Sequence, residues 1–403
     1  MDTASATREP LLHPTPATPE GDEVAARWRT LPAIPSLQHT LLDPVARLAL
    51  PGYQRNIEHC IGAVRVPLGI AGPLRVRGRH ARGDFQVPLA TTEATLVASY
   101  ARGARLVTAA GGCNAVVLDE GLARTPGFVF DSVVESCRFA EWLPSVHADV
   151  AAAAHATTRH GLLVAMKPLV EGNRVLLDLV FRCGDAAGQN MVTIAAEAAC
   201  RFLLAHAPVA PRFHFIESNG SGDKKASART MSGVRGRRVS ADIRLPAALV
   251  RTKLHVEPGM VCEYARMAAA ASMQCGTIGV QGHYANGLAA LYLACGQDVA
   301  CVAEAAIGIT RFELTDDGDL YAAVTLPSLV VGTVGGGTAL PTQRACLELL
   351  GLAGAGHAAA FAEVCAALVL AGEISIIGAL AAQEFAAAHQ RFARSAEPGV
   401  AGG

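Results

Sequence analysis

Apolar and polar residues alternate over residues 61–77, and this period, together with the turn residues it contains, predicts β-strands. Four further stretches rich in apolar residues are also interpreted as strands. Pro327, within the last of them, predicts an edge position or a bulge, because proline cannot donate a backbone hydrogen bond. The predicted strands cover residues 61–77, 176–182, 213–216, 239–243 and 321–331.

Other stretches repeat their apolar positions at the helical period. In the first of them Thr92 is suited to cap the helix, and Leu96 and Tyr100 recur at helical spacing. An Ala-rich stretch near the C-terminus predicts a long helix that breaks or bends near Gly372 or Gly378. The predicted helices cover residues 92–107, 188–205, 263–271, 283–294 and 358–391, and another begins near residue 246. Together the two periods predict a mixed α/β fold.

The chain has 403 residues, 51% of them hydrophobic, so it can bury a substantial core and divide into two or more domains. Residues 1–30 carry prolines and acidic residues without an apolar run, which predicts a disordered tail and no signal peptide. Two long charge-free runs, 267–297 and 320–343, contain interior polar residues or clustered glycines. We interpret them as buried elements of a soluble protein, with no membrane association.

Charge and cysteine content exclude several classes of function. A formal net charge of −1 gives no electrostatic basis for binding nucleic acid or an anionic membrane surface. The 11 cysteines are odd in number and lack the CxxC or His spacing of a zinc site, so no metal site is predicted. Most lie in apolar runs, which indicates reduced core thiols and a cytoplasmic protein.

Lysine is almost absent: the chain has 34 Lys and Arg residues, and only four are Lys. Two of the four, Lys224 and Lys225, are adjacent in a polar Gly-rich segment that also holds Asp223. Because Arg serves elsewhere as the positive charge, a retained Lys indicates a need for a compact ammonium group. Such a loop can bind a carbonyl or carboxylate oxygen. A solvated turn with two surface lysines explains this segment, taken alone, equally well.

Other candidates have ordinary structural explanations. Glu93 stands at a predicted helix start, where an acidic residue also favours the helix dipole. Ser99 and Arg102 share one face of that helix, which suits phosphates or carboxylates but also an exposed surface. The Gly-rich turns at 184–190 and 332–338 would let the backbone approach a pyrophosphate, although neither has the GxGxxG pattern of a Rossmann domain.

Six segments, taken in order, are more specific than any residue alone. They are VPLATTEATLVASYARGARL (87–106), GDAAGQNMVT (184–193), DKKAS (223–227), GHYANGLAALYLACGQD (282–298), DGDLYAAVTLPSLVVGTVGGGT (317–338) and LAGEISIIGALAA (370–382). With IGAVRVPLGIAGPL (61–74) before them, they resemble the 3-hydroxy-3-methylglutaryl-coenzyme A reductase family, in the soluble form with the DKK lysine loop. The likeness covers about residues 55–394.

The resemblance implies an NADPH-dependent reductase that converts hydroxymethylglutaryl-CoA to mevalonate through a hemithioacetal and an aldehyde. Glu93, Lys224, Asp298 and His389 match the family's catalytic residues. Lys224 would stabilise each alkoxide, and Glu93 would protonate oxygen if burial raised its pKa. Asp298 would lie close to both, and His389 would protonate the departing CoA thiolate.

The resemblance also implies the binding residues. The substrate residues are Ser99, Arg102, Arg124, Asp223, Lys225, Arg266 and Asn286. Among these, Arg124 would bind the acyl carboxylate. The cofactor residues are Arg159, Asp185, Asn190, Gly335, Gly336 and Gly337. Among these, Arg159 would lie near the 2′-phosphate of NADPH.

The implied architecture is a large helix-rich substrate domain, residues 31–125 and 217–403, with a small α/β dinucleotide-binding domain inserted at 126–216. The implied assembly is a homodimer or a higher homo-oligomer with shared active sites. Departures from the family pattern make the surroundings of the acyl group more apolar, as at Ala94 and in segment 301–306. They leave open a reductase of a different branched acyl-CoA or a non-catalytic CoA- or nucleotide-binding paralogue.

Overall fold

A computed structural model describes residues 20–32 and 34–383, which belong to two compact units, 1–65 and 66–403. The helices are α1 (Glu20–Thr30), α2 (Pro35–Leu41), α3 (Pro44–Gln54), α4 (Leu96–Ala109), α5 (Val133–Trp142), α6 (His147–His155), α7 (Gln189–His206), α8 (Arg229–Ser232), α9 (Ala247–Leu254), α10 (Pro258–Cys275), α11 (Tyr284–Ala294), α12 (Val302–Ala305), α13 (Pro341–Leu349) and α14 (Ala358–Ala381). The strands are β1 (Leu68–Gly78), β2 (Arg82–Ala90), β3 (Cys113–Arg124), β4 (Gly127–Val129), β5 (Leu162–Glu171), β6 (Arg174–Arg182), β7 (Phe213–Phe215), β8 (Gly236–Leu245), β9 (Gly279–Val280), β10 (Gly308–Leu314) and β11 (Leu320–Leu329).

The N-terminal unit contains helices α1 to α3 around a small core. Asp43 begins α3 by accepting a hydrogen bond from the Ala46 N–H at 2.8 Å. Residues 20–30, predicted as part of a disordered tail, instead form α1. The physical reason is that Val24 and Trp28, four residues apart, share one helix face and pack into the core of this unit.

The eleven strands of the described residues lie in the second unit and form one mixed sheet with the central order β7-β4-β6-β3-β8-β11-β10-β9. Strand β1 pairs with β2 and β3, and β5 pairs with β6. Strand β3 joins two parts of the sheet: its residues 114–121 pair with β8, and its last three residues pair with β6. The C-terminal end of β3, at Arg124, therefore lies where the two parts of the sheet meet.

Segment 127–215 forms the part of the sheet beyond β3. Its strands β4 to β7 pair antiparallel, and helices α5, α6 and α7 pack against them or against β3. Phe128, Phe130 and Phe139 are buried together in its core, with ring centroids about 5 Å apart. This is the stretch that the sequence resemblance assigns to dinucleotide binding.

Helix α14 is the central helix of the second unit and packs against α4, α10, α11, β3, β8 and β11. Among the described residues it is the one helix long and apolar enough to cross a membrane, yet 83% of its apolar window is buried within the protein. The predicted break near Gly372 or Gly378 is wrong. Helix α14 is continuous from Ala358 to Ala381, and these glycines serve close packing because they leave room for the Tyr100 ring and for Leu254.

Several other predicted boundaries change because tertiary structure decides them. Helix α4 begins at Leu96, and Thr92 does not cap it; Thr95, with φ of 73°, turns the chain into the helix. The predicted strand 61–77 begins only at Leu68. Pro327 lies in a register shift between β11 and β8, so it marks a bulge in an internal strand and not an edge.

The two charge-free runs differ in exposure. The run 320–343 holds β11, which is buried along most of its length. The run 267–297 holds α11, most of which is buried, and the second half of α10, which is largely exposed. The prediction of buried elements is therefore right for α11 and β11 and wrong for α10.

Candidate active site

The lysine singled out by the sequence forms an ion pair. Lys224 lies in the loop between β7 and α8, and its Nζ is 2.8 Å from Oδ2 of Asp298. Asp298 follows α11 and accepts a hydrogen bond from the Ala300 N–H, which starts a short 3₁₀ turn. The hydrogen bond with Asp298 is the main reason that the pKa of Lys224 is raised, although partial burial opposes the shift. Lys224 is therefore a charged ammonium at neutral pH.

Three residues predicted to bind substrate lie beside this lysine. Arg124, which is 8% exposed at the end of β3, donates to carboxylate oxygens of Glu217 and Asp223, both at 3.3 Å. The Nζ of Lys225 donates to the backbone carbonyl of Asp223 at 2.8 Å. Arg124, Asp223 and Lys225 thus form one cluster with the lysine loop. The Nε of Arg124 is buried and has no hydrogen-bond partner in the described part of the chain.

Glu93 and Asn286 form a second pair. Glu93 lies in the loop between β2 and α4, and both its carboxylate oxygens accept from Nδ2 of Asn286, at 3.1 and 2.8 Å. Its backbone N–H donates to the Thr91 hydroxyl. The mechanism inferred from sequence needed Glu93 to be buried, whereas in the single chain this side chain is exposed.

Helix α11 separates the two pairs. Asn286 is in its first turn, and Asp298 comes four residues after its last residue. The eight residue steps from Asn286 to Ala294 span about 12 Å at 1.5 Å per residue. Within the described ranges no ion pair joins Glu93 to Lys224, and no hydrogen bond joins it to Asp298. The predicted closeness of Asp298 to both residues therefore holds only for Lys224 in one chain.

A cavity of about 310 Å³ is lined in part by Asp298, the ion-pair partner of Lys224. It is lined by the start of α7 including Asn190, by residues 296–298, and by the Gly-rich loop that contains Gly335, Gly336 and Gly337. Gly188 precedes α7 with φ of 82° and provides no side-chain cap, and the first residues of this 18-residue helix line the cavity. A helix N-terminus beside glycines suits the phosphates of a dinucleotide.

Two residues predicted to bind the cofactor, Asp185 and Arg159, do not line this cavity. The Asp185 carboxylate accepts from the backbone N–H groups of Gly356 and Ala358, at 2.7 and 3.1 Å, and so fixes the start of α14. Arg159 is exposed in the bend after α6 and is not among the residues that line the cavity.

The residues predicted to bind CoA are divided between two places. Ser99 and Arg102 both contact Ser375 on α14: the two hydroxyls are 3.1 Å apart, and the guanidinium donates to the Ser375 hydroxyl at 3.0 Å and its carbonyl at 2.6 Å. Arg266 is exposed on α10 and pairs with Glu263. His389 lies outside the described residues.

Arg235 and Glu304 lie under the lysine loop and are not among the site residues predicted from the sequence. Both are buried, at 3% and 0% exposure, and their side chains form an ion pair. The available signal was one acidic residue in the otherwise uncharged stretch 299–307. An acid in such a stretch is buried with a partner or a function.

Known proteins resemble the chain along most of its length. A family model described as hydroxymethylglutaryl-coenzyme A reductase matches residues 24–394. The chain belongs to this family. The 3-hydroxy-3-methylglutaryl-coenzyme A reductase of Methanocaldococcus jannaschii is 41% identical over 346 residues, which are 85% of each protein. That of Haloferax volcanii is 40% identical over 391 residues, which are 95% of this chain and 96% of the relative.

The fold of this reductase-family chain also occurs in a solved structure. The class II reductase from Streptococcus pneumoniae, determined bound to NADPH in open conformations, superposes with a TM-score of 0.67 at 18% identity. The match covers 90% of this chain and 97% of that one. The family and the mixed α/β fold class inferred from the sequence are both confirmed.

Proposed function

We propose that this chain is an NADPH-dependent reductase that converts 3-hydroxy-3-methylglutaryl-CoA to mevalonate and CoA. Family membership and the reductases at about 41% identity support this function over the reduction of another acyl-CoA and over a non-catalytic role. The observation that carries it is the Lys224–Asp298 ion pair, whose Asp298 lines a cavity with a helix N-terminus and a Gly-rich loop. A charged ammonium thus stands beside a space suited to a dinucleotide.

The residues of this chain divide the work of reducing a thioester. NADPH supplies hydride when bound. The Lys224 ammonium stabilises the negative charge that develops on the substrate oxygen, and Asp298 keeps that ammonium charged. Glu93, oriented by Asn286, protonates the oxygen. His389 keeps its proposed role as the proton donor to the departing thiolate.

The binding roles are supported to different degrees. Asn190 and the loop from Gly335 to Gly337 line the cavity and are proposed to hold the dinucleotide. For Asp185 we propose an indirect role, since its carboxylate is occupied by the start of α14 while its carbonyl accepts from the Thr333 N–H beside the Gly-rich loop. Arg159 is proposed to bind the 2′-phosphate.

For the acyl-CoA substrate we propose Arg124, Asp223 and Lys225 around the acyl group. Ser99, Arg102 and Arg266 are proposed on the CoA side. The division into a large domain, 31–125 and 217–403, and an inserted small domain, 126–216, remains a proposal. We also propose a cytoplasmic location, in keeping with 11 free thiols, nine of them buried.

We further propose a homodimer with shared active sites. In one chain the Glu93–Asn286 pair is exposed at the first turn of α11, whereas Asp298 of the other pair follows the far end of that helix, which lies about 12 Å from Asn286. A proton donor must come within hydrogen-bond reach of the oxygen that Lys224 stabilises. A second copy can supply that donor, because a twofold axis presents the same two pairs in exchanged positions.

NADPH oxidation by the purified protein with hydroxymethylglutaryl-CoA, followed by absorbance, tests the function. We expect turnover by the wild type and a loss on the order of 10²–10³ in kcat for Lys224→Arg, because the guanidinium fork cannot occupy the place of an ammonium. Lys253→Arg, on α9, is the matched control and should retain full activity.

Two outcomes would contradict the proposal. Wild-type protein that ignores hydroxymethylglutaryl-CoA but reduces another acyl-CoA from a small panel would establish a different substrate. Comparable turnover of the wild type and Lys224→Arg would show that the ammonium has no special role.

A further inference from the structure

We propose that Glu304 and Arg235 are positioning residues, which hold the backbone of Lys224 so that its ammonium meets the substrate oxygen. This inference rests on the proposed function. Neither residue lines the cavity, and neither is among the residues assigned to the reaction above. Both act on Lys224 through its loop.

Glu304 contacts Lys224 from beneath the loop. The carboxylate is fully buried on α12, and its Oε1 accepts the backbone N–H of Lys224 at 3.2 Å. Asp298, six residues earlier, binds the ammonium of the same lysine at 2.8 Å. One short segment, 298–304, therefore fixes Lys224 at both its backbone and its Nζ.

The backbone at Lys224 needs such support. Its φ of 56° lies in the left-handed region, which non-glycine residues seldom adopt. Strained backbone of this kind persists where surrounding contacts fix it, and it is concentrated at functional sites. The hydrogen bond to Glu304 is a contact that selects this conformation.

Arg235 connects Glu304 to the rest of the loop. Its Nε donates to Glu304 and one terminal nitrogen donates to Asp223, each at 2.5 Å. The other terminal nitrogen donates to the carbonyl of Ala123 at 2.8 Å, next to Arg124. The guanidinium thus joins α12, the lysine loop and the end of β3 in one plane. Lysine cannot reproduce three such bonds in fixed directions.

The charges in this cluster depend on one another. Burial raises the pKa of Glu304, and the guanidinium of Arg235 and the N–H of Lys224 act in the opposite direction. Removing the charge of Glu304 while keeping its shape would leave Arg235 buried with one carboxylate partner, Asp223. We expect the loop to shift, because glutamine has a single acceptor oxygen and cannot accept from both the Lys224 N–H and the Arg235 guanidinium, as the two carboxylate oxygens do.

The test is a comparison of Glu304→Gln with Glu363→Gln. Glu363 is an equally buried glutamate that accepts two backbone N–H bonds, from His80 and Ala81, and forms no hydrogen bond or ion pair with the lysine loop in the described part of the chain. For Glu304→Gln we expect kcat with hydroxymethylglutaryl-CoA to fall about 10- to 100-fold, with KM for NADPH unchanged, because a small misplacement of a catalytic group costs this much. For Glu363→Gln we expect thermal destabilisation with kcat retained.

Equal kcat in the two variants, when both are folded by circular dichroism, would overturn the inference. If Glu304→Gln does not fold, the same comparison is made with Arg235→Lys. This variant keeps the positive charge but loses the three hydrogen bonds to Glu304, Asp223 and Ala123. Arg235→Lys with unchanged kcat would then refute the role. A wild type without activity toward hydroxymethylglutaryl-CoA would instead contradict the proposed function, so the two failures are distinguishable.

Discussion

The hydrogen bond from Lys224 to Asp298 raises the pKa of the ammonium, and this can be measured on one residue. In Asp298→Asn we expect the pKa of Lys224 to fall, so that more of the reactive neutral amine is present at a given pH. Its rate of acylation, followed by peptide mass spectrometry from neutral to alkaline pH, should therefore increase. Only four lysines are present, and Lys253 serves as the internal control. Equal acylation rates in the wild type and the variant would show that the ion pair does not form in solution.

At the scale of single residues, site residues that stand in a family motif could be predicted from the sequence. Residues whose role depends on a partner distant in the chain could not. Lys224, Asp298 and Glu93 stand in segments that can be compared with a family, and the structure pairs each of them with a polar partner. Arg235 and Glu304 are 69 residues apart in the chain. Nothing in either local segment indicates the other, because their pairing depends on the fold.

At the scale of an element, the close packing of α14 on Tyr100 predicts that a larger residue at Gly372 destabilises the protein. An added Cβ at Gly372 would overlap the Tyr100 ring, whose hydroxyl donates to the His283 carbonyl at 2.8 Å. We expect Gly372→Ala to lower the free energy of unfolding by about 1–3 kcal/mol, as overpacking does. Gly259→Ala on α10 has open space and should have little effect or add up to about 1 kcal/mol. Urea denaturation measures both, and similar midpoints would contradict the packing argument.

Elements with strong periodicity were predicted well from the sequence. Helices α7 and α11 and strand β6 agree with their predicted ranges to within two residues. The errors occur where one backbone angle or one tertiary contact determines where an element begins or whether it continues, as at Thr95 before α4 or at Gly372 within α14. Periodicity indicates which residues face a core, but it does not indicate which residues they contact there.

At the scale of the whole molecule, a shared active site predicts complementation between two inactive variants. Glu93→Gln and Lys224→Arg, refolded or co-expressed together, form mixed dimers in which one of the two sites has both residues intact. With random exchange, half of the dimers are mixed, so activity should return to about a quarter of the wild-type level. Activity that remains at the level of the separate variants would show that both residues serve the same site within one chain.

The position of α14 in the chain has a consequence for biosynthesis. This helix fills the centre of the second unit, yet it begins only at residue 358. A ribosome must therefore translate α14 after all eleven described strands before strands β3, β8 and β11 receive the surface that covers them. Until then the nascent polypeptide exposes apolar strand faces, the condition that recruits chaperones and favours aggregation. A nonsense codon anywhere before residue 358 would yield a chain that lacks its central helix, however much of the catalytic machinery it encodes.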